Sequence, residues 1–245
     1  MYDPVKDGVA KTVDGVSYVE ASPPVHLGEL VHCYWDLKST VDLDADFVLH
    51  ALPDACVNLL FNQLDPGIAG VTRLQTTYLE LHLGTRFHYS GIQLYPGVWH
   101  GADDVADHYV GETYTGDLGL AEVGHRAAGL PFDAKVRVFT EFVDRLKAGG
   151  TVRPNPMIAR ILAALDDITS VADMASAAAL SPRQLQRLLK ADTGFSPHDF
   201  LKVLRLQQSF RRDYQLLFTD QSHFTHAFRQ ATGYPPGRFK KTFDV

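Results

Sequence analysis

The sequence is sparing with several features that would settle a function quickly. Only two cysteines, Cys33 and Cys56, occur in 245 residues. Each sits inside an apolar, strand-like run, so the expectation is a pair of buried, reduced thiols and not a disulfide framework. No uninterrupted apolar stretch approaches the ~20 residues a membrane-spanning helix needs. The first residues, Met1 to Gly8, lack a basic-then-apolar leader pattern, so a cytoplasmic location without membrane contact is expected. There is no phosphate-cradling glycine loop, no nucleophile elbow and no kinase signature. The reading is therefore a protein that is not an enzyme and carries no cofactor. Histidines are frequent in the N-terminal half (His26, His32, His50, His82, His88, His100, His108, His125). None falls in a metalloenzyme spacing, although His82 and His88 occupy strand positions able to converge, and no metal site is assigned.

Glutamate is also missing from residues 151–245, and this absence is informative. The whole chain carries a net charge of -6, the wrong sign for a nucleic-acid binder. Residues 1–150, however, hold 10 Lys and Arg against 21 Asp and Glu, whereas residues 151–245 hold 13 against 8. A basic module joined to an acidic one fits a phosphate-contacting part tethered to a part that stays off the phosphates.

What is present divides the same way. Up to about residue 100, short β-branched and aromatic runs alternate with Pro, Gly and Asp: Val16 to Val19, Leu30 to Leu37, Phe47 to Leu52, Cys56 to Phe61, Tyr78 to Leu83 and Gly91 to Tyr95. That spacing predicts a small antiparallel barrel or sandwich. Between Lys135 and Lys147, Val136, Phe139, Phe142, Val143 and Leu146 recur at helical intervals. This stripe is a candidate homodimer contact, with packing onto its own barrel as the alternative. The breakers from Gly149 to Pro156 mark a boundary, giving a β-rich unit over 1–150 and a helical unit over 151–245. The expected class is α+β.

Within the helical part the sequence repeats at an offset of 39 residues, Ser181 to Lys202 over Asp220 to Lys241. Leu185 falls on Phe224, Leu189 on Phe228, Lys190 on Arg229, Thr193-Gly194-Phe195 on Thr232-Gly233-Tyr234, and Phe200 on Phe239. Each copy encodes a helix, a glycine stop and a second helix opened at a proline. Ser181-Pro182-Arg183-Gln184 has the residues of a capping box with proline at the first helical position. Upstream, Ser170 caps a short helix whose Ala175 and Ala178 lack bulk and permit a close crossing. Two short helices joined by Ala179-Leu180-Ser181 make a helix-turn-helix, whose second helix enters a major groove. Leu185, Leu188 and Leu189 take the inner face, leaving Arg183, Gln184, Gln186, Arg187 and Lys190 outward. Arg pairs bidentately with guanine and Gln with adenine. The second copy offers Ser222, His223, Thr225, His226 and Arg229 at matching positions.

These segments resemble the AraC/XylS family of bacterial regulators. In the second copy the resemblance runs through Asp220-Gln221-Ser222-His223-Phe224, Phe228-Arg229, Thr232-Gly233-Tyr234, Pro236 and Arg238-Phe239. In the first it runs through Leu180-Ser181-Pro182-Arg183, Leu185-Gln186-Arg187, Gly194-Phe195-Ser196-Pro197 and Leu204-Arg205-Leu206-Gln207. Cys33-Tyr34-Trp35, Leu52 to Leu59 and Gly91 to Gly97 are similar to a regulatory domain found in some AraC-type proteins. The resemblance implies a transcription regulator with two helix-turn-helix units, joined by a linker helix, on successive major grooves of double-stranded DNA, and RNA polymerase as a partner. Arg205 and Lys240 complete the candidate DNA-contacting set. Tyr34, Trp35, Phe47, Tyr89 and Trp99 are candidate linings of a small-molecule effector pocket, against the plainer reading as core.

One departure matters. Only 12 residues separate Gln207 from Asp220, too few for a helix end, a loop and a new helix. The stretch lacks Gly and Pro, so Gln207 to Thr219 is expected to prolong the preceding helix. Tyr214 then replaces Ala175 at the close crossing, which predicts a shortened, distorted second unit. A relative that no longer binds DNA and serves as a protein-interaction module is the competing reading.

Overall fold

The computed structural model describes residues 7–10, 14–72, 74–101, 105–106, 111–210 and 221–244. It opens with strands β1 (Asp7–Ala10), β2 (Val16–Ala21), β3 (Val31–Ser39), β4 (Val48–Ala51), β5 (Val57–Asn62), β6 (Ala69–Thr72), β7 (Leu79–His82), β8 (His88–Leu94) and β9 (Val105–Ala106). Helices α1 (Leu120–Ala127), α2 (Phe132–Ala148), α3 (Pro156–Ala163), α4 (Val171–Ala177), α5 (Pro182–Thr193), α6 (Pro197–Ser209), α7 (Gln221–Thr232) and α8 (Pro236–Thr242) follow, and β10 (Phe243–Asp244) closes the chain. The class is α+β, with antiparallel sheets in the N-terminal part and helices after it.

Two sheets face each other. The larger runs β2-β3-β8-β5-β6-β9 and the smaller β10-β1-β4-β7. All pairings are antiparallel except β6 with β9. Because strand residues alternate in facing, Tyr34, Leu59, Phe61, Val71 and Ile92 lie under the helices, while Trp35, Leu37, Asn58 and Leu60 face the smaller sheet. The stripe offered as a dimer contact lies on the first of these faces. Phe139, Phe142, Val143 and Leu146 of α2 are buried with Tyr34 and Phe61, and Phe61 stacks on Phe139 at 5.0 Å. Those residues stabilise this sheet and are not available to a partner copy.

The same helix buries a charge. Lys135, 1% exposed, donates to Asp36 (2.7 Å) and to the Ser90 hydroxyl (3.1 Å), and lies 2.9 Å from His88 Nε2. Burial opposes the Asp36 charge, yet the hydrogen bonds from His88, Lys135 and Ser90 win and hold its carboxyl well below the ordinary range. Removing one partner of such a set leaves an uncompensated buried charge, at a cost of about 3–5 kcal/mol. His82 instead pairs with Asp46 at 2.5 Å, so His82 and His88 do not converge. Among the described residues no cluster suited to a metal is found, and no helix is long and apolar enough to cross a membrane.

Candidate nucleic-acid interface

Helices α4 and α5 form the first two-helix unit, and its local chemistry follows from a few residues. The Ser170 side chain caps α4 by accepting from the Asp173 amide (3.1 Å). Ser181 and Gln184 close the capping box on α5 in both directions, at 3.3 and 3.0 Å. Ala175 and Ala178 are buried at the crossing, and Leu185 and Leu189 are fully buried beneath it. The turn between the helices places Ala179 at φ +56°, a left-handed conformation that glycine tolerates better. Beyond α5, Thr193 bonds the Leu189 carbonyl (2.7 Å) and receives the Phe195 amide (3.1 Å), with Gly194 at φ +74°.

Arg183, Gln184, Gln186, Arg187 and Lys190 are all exposed along one helix. Two of them have local work. Gln184 commits its carbonyl oxygen to the capping box, so bidentate contact with adenine requires that box to open. Lys190 donates to the Gly194 carbonyl (2.5 Å) at the helix end. Arg205 sits apart from the set. Its half-buried guanidinium donates to the Thr169 carbonyl and braces α6 against the entry to α4.

The second unit preserves the stop of the first. Thr232 bonds the Phe228 carbonyl (2.8 Å) and receives the Tyr234 amide (3.3 Å), and Gly233 stands at φ +78°. Its surroundings differ completely. Phe224, Phe228, Phe239 and Phe243 pack with Leu52 of the β-rich part. His50, 2% exposed, donates from Nε2 to the Thr232 carbonyl (2.6 Å) and is flanked by Tyr78, Tyr234 and Phe243 at 4.5, 5.4 and 4.9 Å. Burial depresses the His50 pKa, against the Thr232 bond and the nearby Glu80. The Tyr78 amide bonds the Ala231 carbonyl (2.8 Å), and β10 pairs with β1 through Ala10 and Phe243. Ser222, His226, Arg229 and Lys240 remain exposed, and the His223 side chain lies outside the described part. Helix α6 ends at Ser209 with Phe210 as its cap. The rest of the stretch expected to prolong it, residues 211–219 including Tyr214, lies outside the described residues.

One loop touches both units. Leu52 joins the phenylalanine cluster, the Pro53 carbonyl accepts from Gln207 (2.8 Å), and Ala55 and Cys56 pack with Leu185, Leu189 and Phe200. Asp54 shapes this loop by accepting from the Cys56 amide (2.8 Å) and Gln93 (2.6 Å). The loop was visible in the sequence as Leu52-Pro53-Asp54-Ala55-Cys56, but only as a resemblance; no local signal there marks a seam.

Of the five aromatics proposed for an effector pocket, Trp35, Phe47 and Tyr89 share one apolar cluster, while Tyr34 and Trp99 belong to another. Trp35 lines a cavity of about 90 Å³ between the sheets, together with Leu49, Asn58 and Leu81. Tyr34 faces α2 and accepts from Thr140 (3.0 Å), and burial pushes its phenol up to about 12. Phe47 stacks on Phe87 at 4.9 Å and clusters with Tyr89, whereas Trp99 is core and donates to the Gly101 carbonyl.

Comparison with known proteins gives two findings. Residues 19–102 match the family model DUF6597, a domain of unknown function. That range contains the Cys33, Leu52 and Gly91 segments singled out above. The chain is also similar to solved structures of ToxT from Vibrio cholerae. One shares 11% identity at a TM-score of 0.43, covering 94% of this chain and 98% of that one. An unsaturated fatty acid-bound form of wild-type ToxT shares 10% identity at 0.41, covering 99% and 98%. No curated protein sequence matches.

Proposed function

We propose that the chain is a sequence-specific DNA-binding transcription regulator of AraC type. In this reading residues 151–245 contact double-stranded DNA, residues 1–150 form the regulatory and dimerisation part, and RNA polymerase is the downstream partner. The observation that carries it is α5: a doubly capped helix, seated by Leu185 and Leu189, that exposes Arg183, Gln186, Arg187 and Lys190 on one side. Solvated helices also carry cations, but few are presented by a preceding capped helix across a tight turn. Arg183 and Arg187 supply guanine contacts and Gln186 an adenine contact. Lys190 neutralises phosphate.

The second unit supports less. Its inner face is anchored to the β-rich part through His50, Leu52 and Tyr78, so its position follows that part. Arg229 and Lys240 serve phosphates, and base reading belongs to α5. The competing role as a protein-interaction module draws on the same anchoring. A binding-site selection with the purified chain, followed by a salt titration on the selected site, separates the two. A DNA binder loses affinity steeply as salt rises; selection of no motif and a flat salt response would leave the interaction module.

A further inference from the structure

Between the β-rich part and α3 lies a groove of about 720 Å³, with Tyr95, Pro96 and Val98 on one wall and Ile158, Ala159 and Leu162 on the other. Most of the lining is apolar, and the floor is tightly fitted. Gly97 stands at φ +70°, and a Cβ there would lie 2.3 Å from Ile158 Cδ1, so only glycine lets α3 approach the β8 loop this closely. This is the Gly91 to Gly97 segment that the sequence singled out without assigning it work.

An apolar knob stands beside the groove. Gly28 and Glu29 line it and directly follow the single helical turn Val25–Leu27. Val25 is 99% exposed, more than any other large apolar side chain among the described residues. A lone exposed valine needs no explanation, but this one is held on a rigid base. Leu27 is fully buried, its amide bonds the Pro24 carbonyl (2.9 Å), and the Gly28 amide bonds the Val25 carbonyl (3.2 Å). His26 Nε2 lies 3.1 Å from Asp144, and the His26 carbonyl accepts from Lys147 (3.1 Å), which ties the turn to α2. A preorganised projection loses little conformational freedom on docking. The groove also carries two opposite charges, Glu29 from the β-rich part and Arg160 from α3. Both are exposed, and neither makes an ion pair with a described residue. Arg160 places one of its five donors on the Ala178 carbonyl (3.0 Å).

We propose that this face is the contact between two copies of the chain in solution, each inserting Val25 into the groove of the other about a twofold axis. Such an axis satisfies a knob and a groove lying side by side on one surface in both copies at once. Val25 and Glu29 are one helical turn apart. The partner's Val25 in the groove therefore carries the partner's Glu29 toward α3, where Arg160 has donors to spare for a fork to the carboxylate. The axis repeats that pair in the other copy. Burial of the apolar walls supplies the affinity, whereas the two ion pairs fix the register and oppose arrangements that set like charges together. The inference rests on the homodimer of the proposed function, whose face it names and extends into α3, and not on the DNA reading.

Sedimentation of the full chain without DNA, from about 1 to 100 μM, should show a monomer–dimer equilibrium. Val25→Asp alters a fully exposed side chain, spares the fold, and should weaken dimerisation at least tenfold. Glu29→Arg and Arg160→Glu should each weaken it at least threefold by setting like charges against each other. Mixed in equal amounts, these two charge variants should form a heterodimer, read by native mass spectrometry with one of them isotope-labelled, because every pair across that interface is again opposite in sign. A merely structural role for either residue gives no such rescue. If Arg160→Glu folds poorly without its Ala178 bond, Ala159→Phe, which fills the groove from an exposed position, takes its place and should weaken the dimer at least tenfold. A monomer at the highest concentration, a dimer unchanged in Val25→Asp, or folded charge variants that stay monomeric when mixed would overturn the proposal. So would a monomer carrying a small molecule that Ala159→Phe displaces. A chain that selects a DNA motif as a monomer keeps the DNA reading and loses this face; one that dimerises through Val25 and selects no motif does the reverse.

Discussion

The two helical units share a sequence pattern and an internal stop, yet they are held by different means. The first closes largely on itself: α4, α5 and α6 bury Met174, Leu185, Leu189 and Phe200 together, Ala55 and Cys56 enter that cluster from the β-rich part, and the half-buried Leu74 and Tyr95 pack against it. The second has no comparable core of its own among the described residues. It completes one from Leu52, and its backbone is bonded to Tyr78 and His50. Sequence repetition therefore records a shared local fold, while the partner of each unit's inner face decides whether it acts as a module or as part of the neighbouring domain.

The largest effects should come from breaking each core separately. Leu189→Ala and Phe228→Ala remove fully or nearly fully buried side chains, at about 2–5 and 3–5 kcal/mol respectively. Chemical denaturation reads both costs. Below the unfolding transition, Leu189→Ala should lose DNA binding, whereas Phe228→Ala should retain it within a few fold. The equivalent glycines sharpen the contrast. A Cβ on Gly194 meets nothing within 4 Å, whereas one on Gly233 would lie 2.7 Å from the Tyr78 ring. Gly194→Ala should cost about 1–2 kcal/mol for the left-handed backbone alone. Gly233→Ala should cost about 1–3 kcal/mol more from the collision, and equal costs would mean the second unit is not seated on Tyr78.

Acidification should act on the second unit first. His50 is held neutral by burial, so its folded pKa lies below the ordinary ~6.5. Between those two values the unfolded chain binds more protons, and stability falls as pH drops below about 6.5, levelling off beneath the folded value. His50→Gln keeps a donor for Thr232 and should flatten that part of a stability-against-pH curve; an unchanged slope would remove His50 as its source. The smallest effect belongs to the first unit. Ala179→Gly relieves a left-handed alanine and should raise its melting midpoint, by roughly 0.5–1 kcal/mol of stability.

Periodic and capped features were legible from the residues. The strands at Val31, Val57 and His88, the stripe on α2 and the Ser181 box all reflect local spacing that tertiary structure had only to accept. The α2 stripe announced burial but not its partner, because an apolar face packs equally well on its own sheet or on another copy. Strands β1, β6, β9 and β10 were missed, being short and dependent on pairing with distant segments. For the candidate interface, outward positions on α5 could be counted from the helical period. The bonds that occupy Gln184 and Arg205, and the docking of Thr232 under His50, depend on residues remote in sequence or on side-chain rotamers. The aromatics fared worst as a group, since alternation sends Tyr34 and Trp35 to opposite faces of one strand.

The measurement that bears most directly on the whole account compares Arg183→Ala with Arg229→Ala on the selected DNA, reading affinity, salt slope and selected motif together. Arg183→Ala should lose about 1–3 kcal/mol and relax preference at one base position. Arg229→Ala should weaken all sequences alike and lower the salt slope by about one, with the motif unchanged. A relaxed motif in Arg229→Ala with an unaltered one in Arg183→Ala would place base reading in the second unit and contradict the account.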